Sequence, residues 1–232
     1  MNFKLSKKIK ATTNAFDGET NKVDSILSPI NHELVAMTVP TIPKWIQTHH
    51  LTSSTIAWSF LVLAGSLLSQ YSLYFLLLNI IAIALHIATD ACDGALGRYR
   101  KTGLVRWGYY ADHFGDFIFG SLIVVSFRII NHDVNEYWIF FLMMVFSGFF
   151  VHSLLSTSVL NKLAYTFFKI LSPLEGQLFY IAIYFVIIFF GKISLLFLVP
   201  AMGFIGVIAL SYIVGDTLNR LWKMDKPKFP KD

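Results

Sequence analysis

The sequence predicts an all-α integral membrane protein with six transmembrane helices and an N-terminal amphipathic, juxtamembrane helix. Three observations carry that expectation. Of the 232 residues, 55% are hydrophobic and only 14% charged, against roughly a quarter charged in soluble domains. The apolar residues gather into six long stretches, each near the roughly 20 residues a membrane helix needs. The basic residues fall unequally on alternate connections between those stretches.

The chain begins polar and basic, with Lys4, Lys7, Lys8 and Lys10, and carries acids at Asp17, Glu19 and Asp24. No apolar core follows directly, so a cleavable signal peptide is not expected and the first span is expected to act as the insertion signal. Residues 25–50 mix apolar and polar positions, with prolines at 29, 40 and 43. They are expected to form a short interfacial helix with Trp45 and Ile46 as anchors, with an ordinary linker as the alternative. Residues 1–50 are read as a cytoplasmic segment, 51–220 as the membrane domain and 221–232 as a basic tail.

The six spans are expected at 53–69, 71–97, 107–130, 136–158, 175–191 and 193–219. The clearest signal is Tyr71 to Thr89, which holds no charged residue. Of the 19 lysines and arginines, 17 fall in four segments: before span one, between spans two and three, between four and five, and in the tail. Only Arg128 and Lys192 remain for the opposite side. The positive-inside rule then places both termini, and the connection between spans two and three, in the cytoplasm. Basic residues scattered in this way read as topology signals, so no nucleic-acid partner is expected. The single cysteine, Cys92, has no partner for an intramolecular disulfide.

Carboxylates are costly at membrane depth and mark function there. Asp90, Asp93, Asp112, Asp116, Glu175 and Asp216 all fall within or at the ends of predicted spans. The first four cluster at the cytoplasmic ends of spans two and three. Asp90 and Asp93 are spaced i, i+3, and Asp112 and Asp116 i, i+4, so each pair shares one helix face, about 5–6 Å apart. Two antiparallel helices on a short connection are expected to bring the pairs face to face. Such a group repels itself unless cations intervene. Arg98 neutralises one charge, and oxygen-only ligands select Mg²⁺, Mn²⁺ or Ca²⁺ over zinc. Gly94, Gly97 and Gly108 lie a turn or less from these acids. Glycine inside a helix marks close approach of a backbone or a ligand, and beside four acids a ligand is the expected occupant, helix packing through small residues being the alternative.

Residues 90–116 read Asp-x2-Asp-Gly-x2-Gly-Arg-x9-Gly-x3-Asp-x3-Asp. The pattern resembles the signature of the CDP-alcohol phosphotransferase family, departing only in Gly97, where that family usually has alanine. The six-span layout and cytoplasmic termini are also similar. The resemblance implies that Asp90, Asp93, Asp112 and Asp116 bind two Mg²⁺ or Mn²⁺ ions holding the pyrophosphate of a CDP-linked donor. It implies that Gly94, Gly97 and Gly108 leave room for the nucleotide, with Arg98 near the phosphates. Thr52 is the candidate for the polar element at the mouth of span one that touches the nucleotide in family members. The family also implies a homodimer.

His113 directly follows Asp112, and Glu175 and Gln177 form Glu-x-Gln at the start of span five. Both look similar to the choline and ethanolamine phosphotransferase branch. That resemblance implies His113 as the base that deprotonates a lipid alcohol, oriented by Glu175, with Asp116 as the alternative base. His86, one turn before Asp90, is read either as that carboxylate's hydrogen-bond partner or as a structural histidine. His152 is read as structural, Cys92 as a small filler, and Asp216 as snorkelling or pairing with Arg220. The function expected is transfer of a phosphoalcohol to a lipid alcohol such as diacylglycerol. The alternative within the family is phosphatidyl transfer from CDP-diacylglycerol to a soluble alcohol such as glycerol phosphate, serine or inositol phosphate. A cation transporter is the distant alternative, disfavoured because the acids gather at one face rather than through the membrane's depth.

Overall fold

The computed structural model describes residues 27–101, 104–160 and 173–225. Among these residues there are seven α-helices and no strand. The basic residues of segment 1–26, together with Lys162, Lys169, Lys226, Lys228 and Lys231, lie outside the described residues.

Helix α1 (Ser28–Thr38) carries proline in its first turn, where the missing N–H leaves no bond unmade. A 3₁₀ turn at Val39–Thr41 ends it. The expected interfacial segment is thus helical in its first half, and α1 exposes Ile30, Leu34 and Met37. Helix α2 (Thr48–Leu68) starts at a capping box in which the Gln47 N–H donates to His50 Nδ1 at 3.0 Å. Helix α3 (Leu77–Arg100) follows a 3₁₀ turn at Leu73–Leu76 and stops where Lys101 adopts a left-handed conformation, φ 54°. Helices α4 (Val105–Ile130), α5 (Glu136–Leu160) and α6 (Pro173–Phe190) come next. Gly191, at φ +85°, turns the chain into the short 3₁₀ segment Lys192–Ser194 and then α7 (Leu195–Asp225).

Five of these helical segments are long and apolar enough to cross a membrane: Thr48–Leu68, Leu73–Arg100, Arg106–Ile130, Glu136–Ser158 and Lys192–Asp225. Helix α6 is apolar but has only 18 residues, about 27 Å at the usual rise, slightly short of a hydrocarbon core of about 30 Å. Large apolar side chains such as Ile56, Phe60, Phe197, Ile205 and Ile208 point outward, as a lipid-facing surface requires.

Helix α2 is the support of the bundle. Both α3 and α4 pack along it, whereas α3 and α4 make little direct backbone contact with each other. Small residues allow the close approach. The space where Gly65 would carry a Cβ is taken by the Asn79 side chain of α3, and Gly115 of α4 lies against Thr55. Helix α5 packs on α7 in the same manner, with Phe141 and Val145 filling the places beside Gly203 and Gly206. Helices α1 and α6 lie against α3.

The apolar core runs through Val62, Ile83, Phe127, Ile187 and Val199. Two hydrogen bonds join buried polar side chains within it, the kind of pairing a water-free interior favours. The Asn79 amide donates to Ser66 at 2.8 Å, and Ser126 and Tyr184 share a 2.7 Å hydrogen bond. At one end of the bundle, the Asn131 side chain donates to the Lys192 carbonyl at 3.0 Å. Asp216 pairs with Arg220 at 2.6 Å, one of the two expected alternatives.

Candidate metal centre

The site forms where α3 and α4 pass over the N-terminal half of α2. Asp90, Asp93 and Asp112 each offer a carboxylate oxygen, and the three oxygens lie within 4.8 Å of one another. A divalent ion with bonds of about 2.0–2.6 Å sets its ligand oxygens up to roughly 4–5 Å apart, so this trio fits one hard cation. Asp90 and Asp112 are within hydrogen-bonding reach of each other. Asp93 is buried, at 8% exposure, and accepts a 2.7 Å hydrogen bond from the Thr52 hydroxyl of α2. Thr52 therefore touches a carboxylate of the cluster, which fixes that side chain's direction.

Asp116 stands apart from the trio. Its Oδ1 is 3.2 Å from Nε2 of His86, at ion-pair distance but off line for a hydrogen bond. His86 is almost wholly buried and stacks flat on Phe119, ring centroids 4.0 Å apart. The histidine one turn before Asp90 thus partners the last acid of the motif rather than Asp90. The reason is geometric. Helices α3 and α4 run antiparallel, so Asp112 stands opposite Asp90 and, one turn further along α4, Asp116 stands opposite His86, one turn back along α3.

His113 lies beside the cluster. Its Nδ1 is 2.9 Å from the Tyr109 carbonyl oxygen and 3.6 Å from Asp112, and its ring rests on that of Tyr109, centroids 4.1 Å apart. A carbonyl only accepts, so Nδ1 carries the hydrogen and Nε2 keeps its lone pair. Glu175, in the first turn of α6, accepts the Leu27 N–H at 3.2 Å and so ties α6 to the start of α1.

The glycines divide. Gly108 has open space where a Cβ would stand. Gly94 faces the Arg98 guanidinium, 3.2 Å from that Cβ position. Gly97 meets Thr48 of α2 at 3.4 Å, which is helix packing. Arg98 itself is exposed, whereas Arg100 has a structural task. Its guanidinium donates to the carbonyls of Ile42, at 2.7 Å, and of Pro43 and Ile46, clamping the segment before α2 onto the end of α3. Charge counting alone assigned Arg100 to topology.

Sequence reasoning also passed over most of the polar stripe on α2. Thr52, Thr55, Ser59 and Ser66 are all buried and recur at helical spacing along α2. That period was a readable signal. It marks the face on which both acid-bearing helices rest.

The described chain is, by its fold and site, a helical bundle with five segments able to cross a membrane and a carboxylate cluster able to hold a cation. No family model matches the chain, and no curated protein matches it. The likeness to CDP-alcohol phosphotransferases rests on the motif in residues 90–116.

Proposed function

We propose that this protein is a six-span membrane phosphotransferase of the CDP-alcohol type, with both termini and the site cytoplasmic. On this reading it moves a phosphoalcohol from a CDP-linked donor to a lipid alcohol such as diacylglycerol and releases CMP. The observation that carries the reading is the convergence of the Asp90, Asp93 and Asp112 oxygens within 4.8 Å, from two helices whose sequence has the spacing of that family. Mg²⁺ or Mn²⁺ held there supplies charge neutralisation for the pyrophosphate and the departing CMP. The trio supplies ligands for one ion. Asp116, held beside His86, would be the further carboxylate available to a second ion.

The chain's own groups do the rest. Arg98 reaches the donor phosphates, and the open space at Gly108 accommodates part of the nucleotide. The acceptor's oxygen forms a bond to the phosphorus that bears the alcohol, while the bond from that phosphorus to the CMP oxygen breaks and its electron pair leaves with CMP. The acceptor's proton passes to Nε2 of His113, whose lone pair the Tyr109 carbonyl contact leaves available.

The test is transfer by purified protein in detergent with Mn²⁺ or Mg²⁺. One arm contains diacylglycerol with CDP-choline or CDP-ethanolamine labelled in the alcohol. The other contains CDP-diacylglycerol with labelled glycerol phosphate, serine or inositol phosphate. Label is expected in lipid in the first arm. Label in lipid only in the second moves the protein to the phosphatidyl-transferring branch, and CMP release in neither overturns the enzyme reading.

A further inference from the structure

A small cleft of about 80 Å³ opens beside Asp90, lined by Asn31 of α1, Ile87, Asp90 and Ala91 of α3, and Leu174 and Gln177 of α6. Its walls come from three elements held together by the Leu27–Glu175 bond at one end. One half is apolar, and the other presents two carboxamides next to a carboxylate of the cluster. Among the described residues the lining contains no lysine or arginine. The space admits several waters, enough for a hydroxyl-bearing head.

This lining selects a chemistry. A carboxamide donates through nitrogen and accepts through oxygen, so the pair can hold a hydroxyl by both its hydrogen and its lone pair. A charged group placed here would depend on the ion held at Asp90 for its counter-charge, whereas a hydroxyl is held by the carboxamides alone. We propose that Asn31 and Gln177 form the acceptor subsite, positioning the free hydroxyl of an uncharged lipid alcohol beside Asp90. The inference rests on the phosphotransfer reading and adds to it the residues that recognise the acceptor. It also gives α1 a role in the site, as the wall that brings Asn31 to the cleft.

The test uses the full-length protein and the variants Asn31→Leu, Gln177→Met and their combination, each checked for a monodisperse elution profile in detergent. The KM for diacylglycerol is expected to rise several-fold in each single variant and at least about tenfold in the double, with the KM for the CDP-linked donor within about twofold of wild type. Binding of a fluorescent diacylglycerol without donor is expected to weaken in parallel. Gln177 also lies near His86, so Asn31→Leu is the cleaner probe. A transferring wild type whose Asn31→Leu variant keeps its lipid KM and lipid binding overturns the subsite alone. A rise in the donor KM instead of the lipid KM also overturns it, by placing the donor in the cleft. Wild-type protein that releases no CMP from any donor overturns the phosphotransfer reading, and the subsite with it.

Discussion

The Thr52 hydroxyl donates to Asp93 across 2.7 Å, from α2 to α3, in a buried setting. This bond joins the helix that carries no acid to the cluster that two other helices supply. Thr52→Val keeps the shape and removes the bond. Partners that orient a metal ligand are typically worth 10–100-fold in metal affinity, so Mn²⁺ affinity is expected to fall by about that factor. Titration calorimetry or the Mn²⁺ paramagnetic signal reads the change. An unchanged affinity would show that Asp93 needs no help from α2.

Asp93→Asn and Asp112→Asn remove charge from the cluster itself. Each is expected to lower turnover by more than about 100-fold, beyond the upper end of the range for orienting partners, and to weaken Mn²⁺ binding. CMP release and metal titration check the two effects separately. A variant that turns over at near the wild-type rate does not carry a metal ligand at that position.

His113→Ala is expected to reduce transfer by roughly 10²–10⁴-fold, the range for loss of a general base, while binding of the CDP-linked donor persists. Equilibrium binding of the nucleotide and a transfer assay separate these outcomes. Unchanged transfer would hand the proton-accepting role to Asp116.

The two neighbouring arginines are expected to behave differently. Arg100→Ala takes a donor from three backbone carbonyls, of which Pro43 keeps the Ile46 N–H. Because the group is partly exposed, the expected loss is about 1–2 kcal/mol of stability. Faster proteolysis between Ile42 and Ile46 is expected with it. Arg98→Ala is expected to leave the melting temperature in detergent unchanged and to raise the KM for the donor.

Gly65 and Gly108 form a second contrast. A Cβ at Gly65 would collide with Asn79 and meet the Phe75 carbonyl, whereas one at Gly108 meets nothing within 4 Å. Gly65→Ala is therefore expected to destabilise by about 1–3 kcal/mol through overpacking. Gly108→Ala is expected to be neutral, or stabilising by up to about 1 kcal/mol from helix propensity. Gly108→Leu is expected to raise the donor KM with the fold intact. Thermal unfolding in detergent and donor kinetics decide both.

Much of the fold was legible because lipid as a solvent writes directly into sequence. An apolar run long enough to cross it reads as a helix, and five of the six predicted runs are helical segments of sufficient length. The fifth, at 175–191, is matched by the shorter α6. The acids of 90–116 were legible for the same reason, since a carboxylate in such a run needs a partner or a cation.

What the sequence determined by itself was the all-helical class, the placement of the helices to within several residues, and four candidate carboxylates, of which Asp90, Asp93 and Asp112 converge. Helical periodicity and the expense of buried charge act locally, along a single segment. Only the tertiary structure decided that α2 bears both acid-carrying helices and that Asp116 faces His86. It also decided that Arg100 grips Ile42 to Ile46, and that Asn31 meets Gln177 at a cleft beside Asp90. Those pairings join residues 30 to 146 positions apart, and they depend on how helices cross, which the period of one helix does not encode.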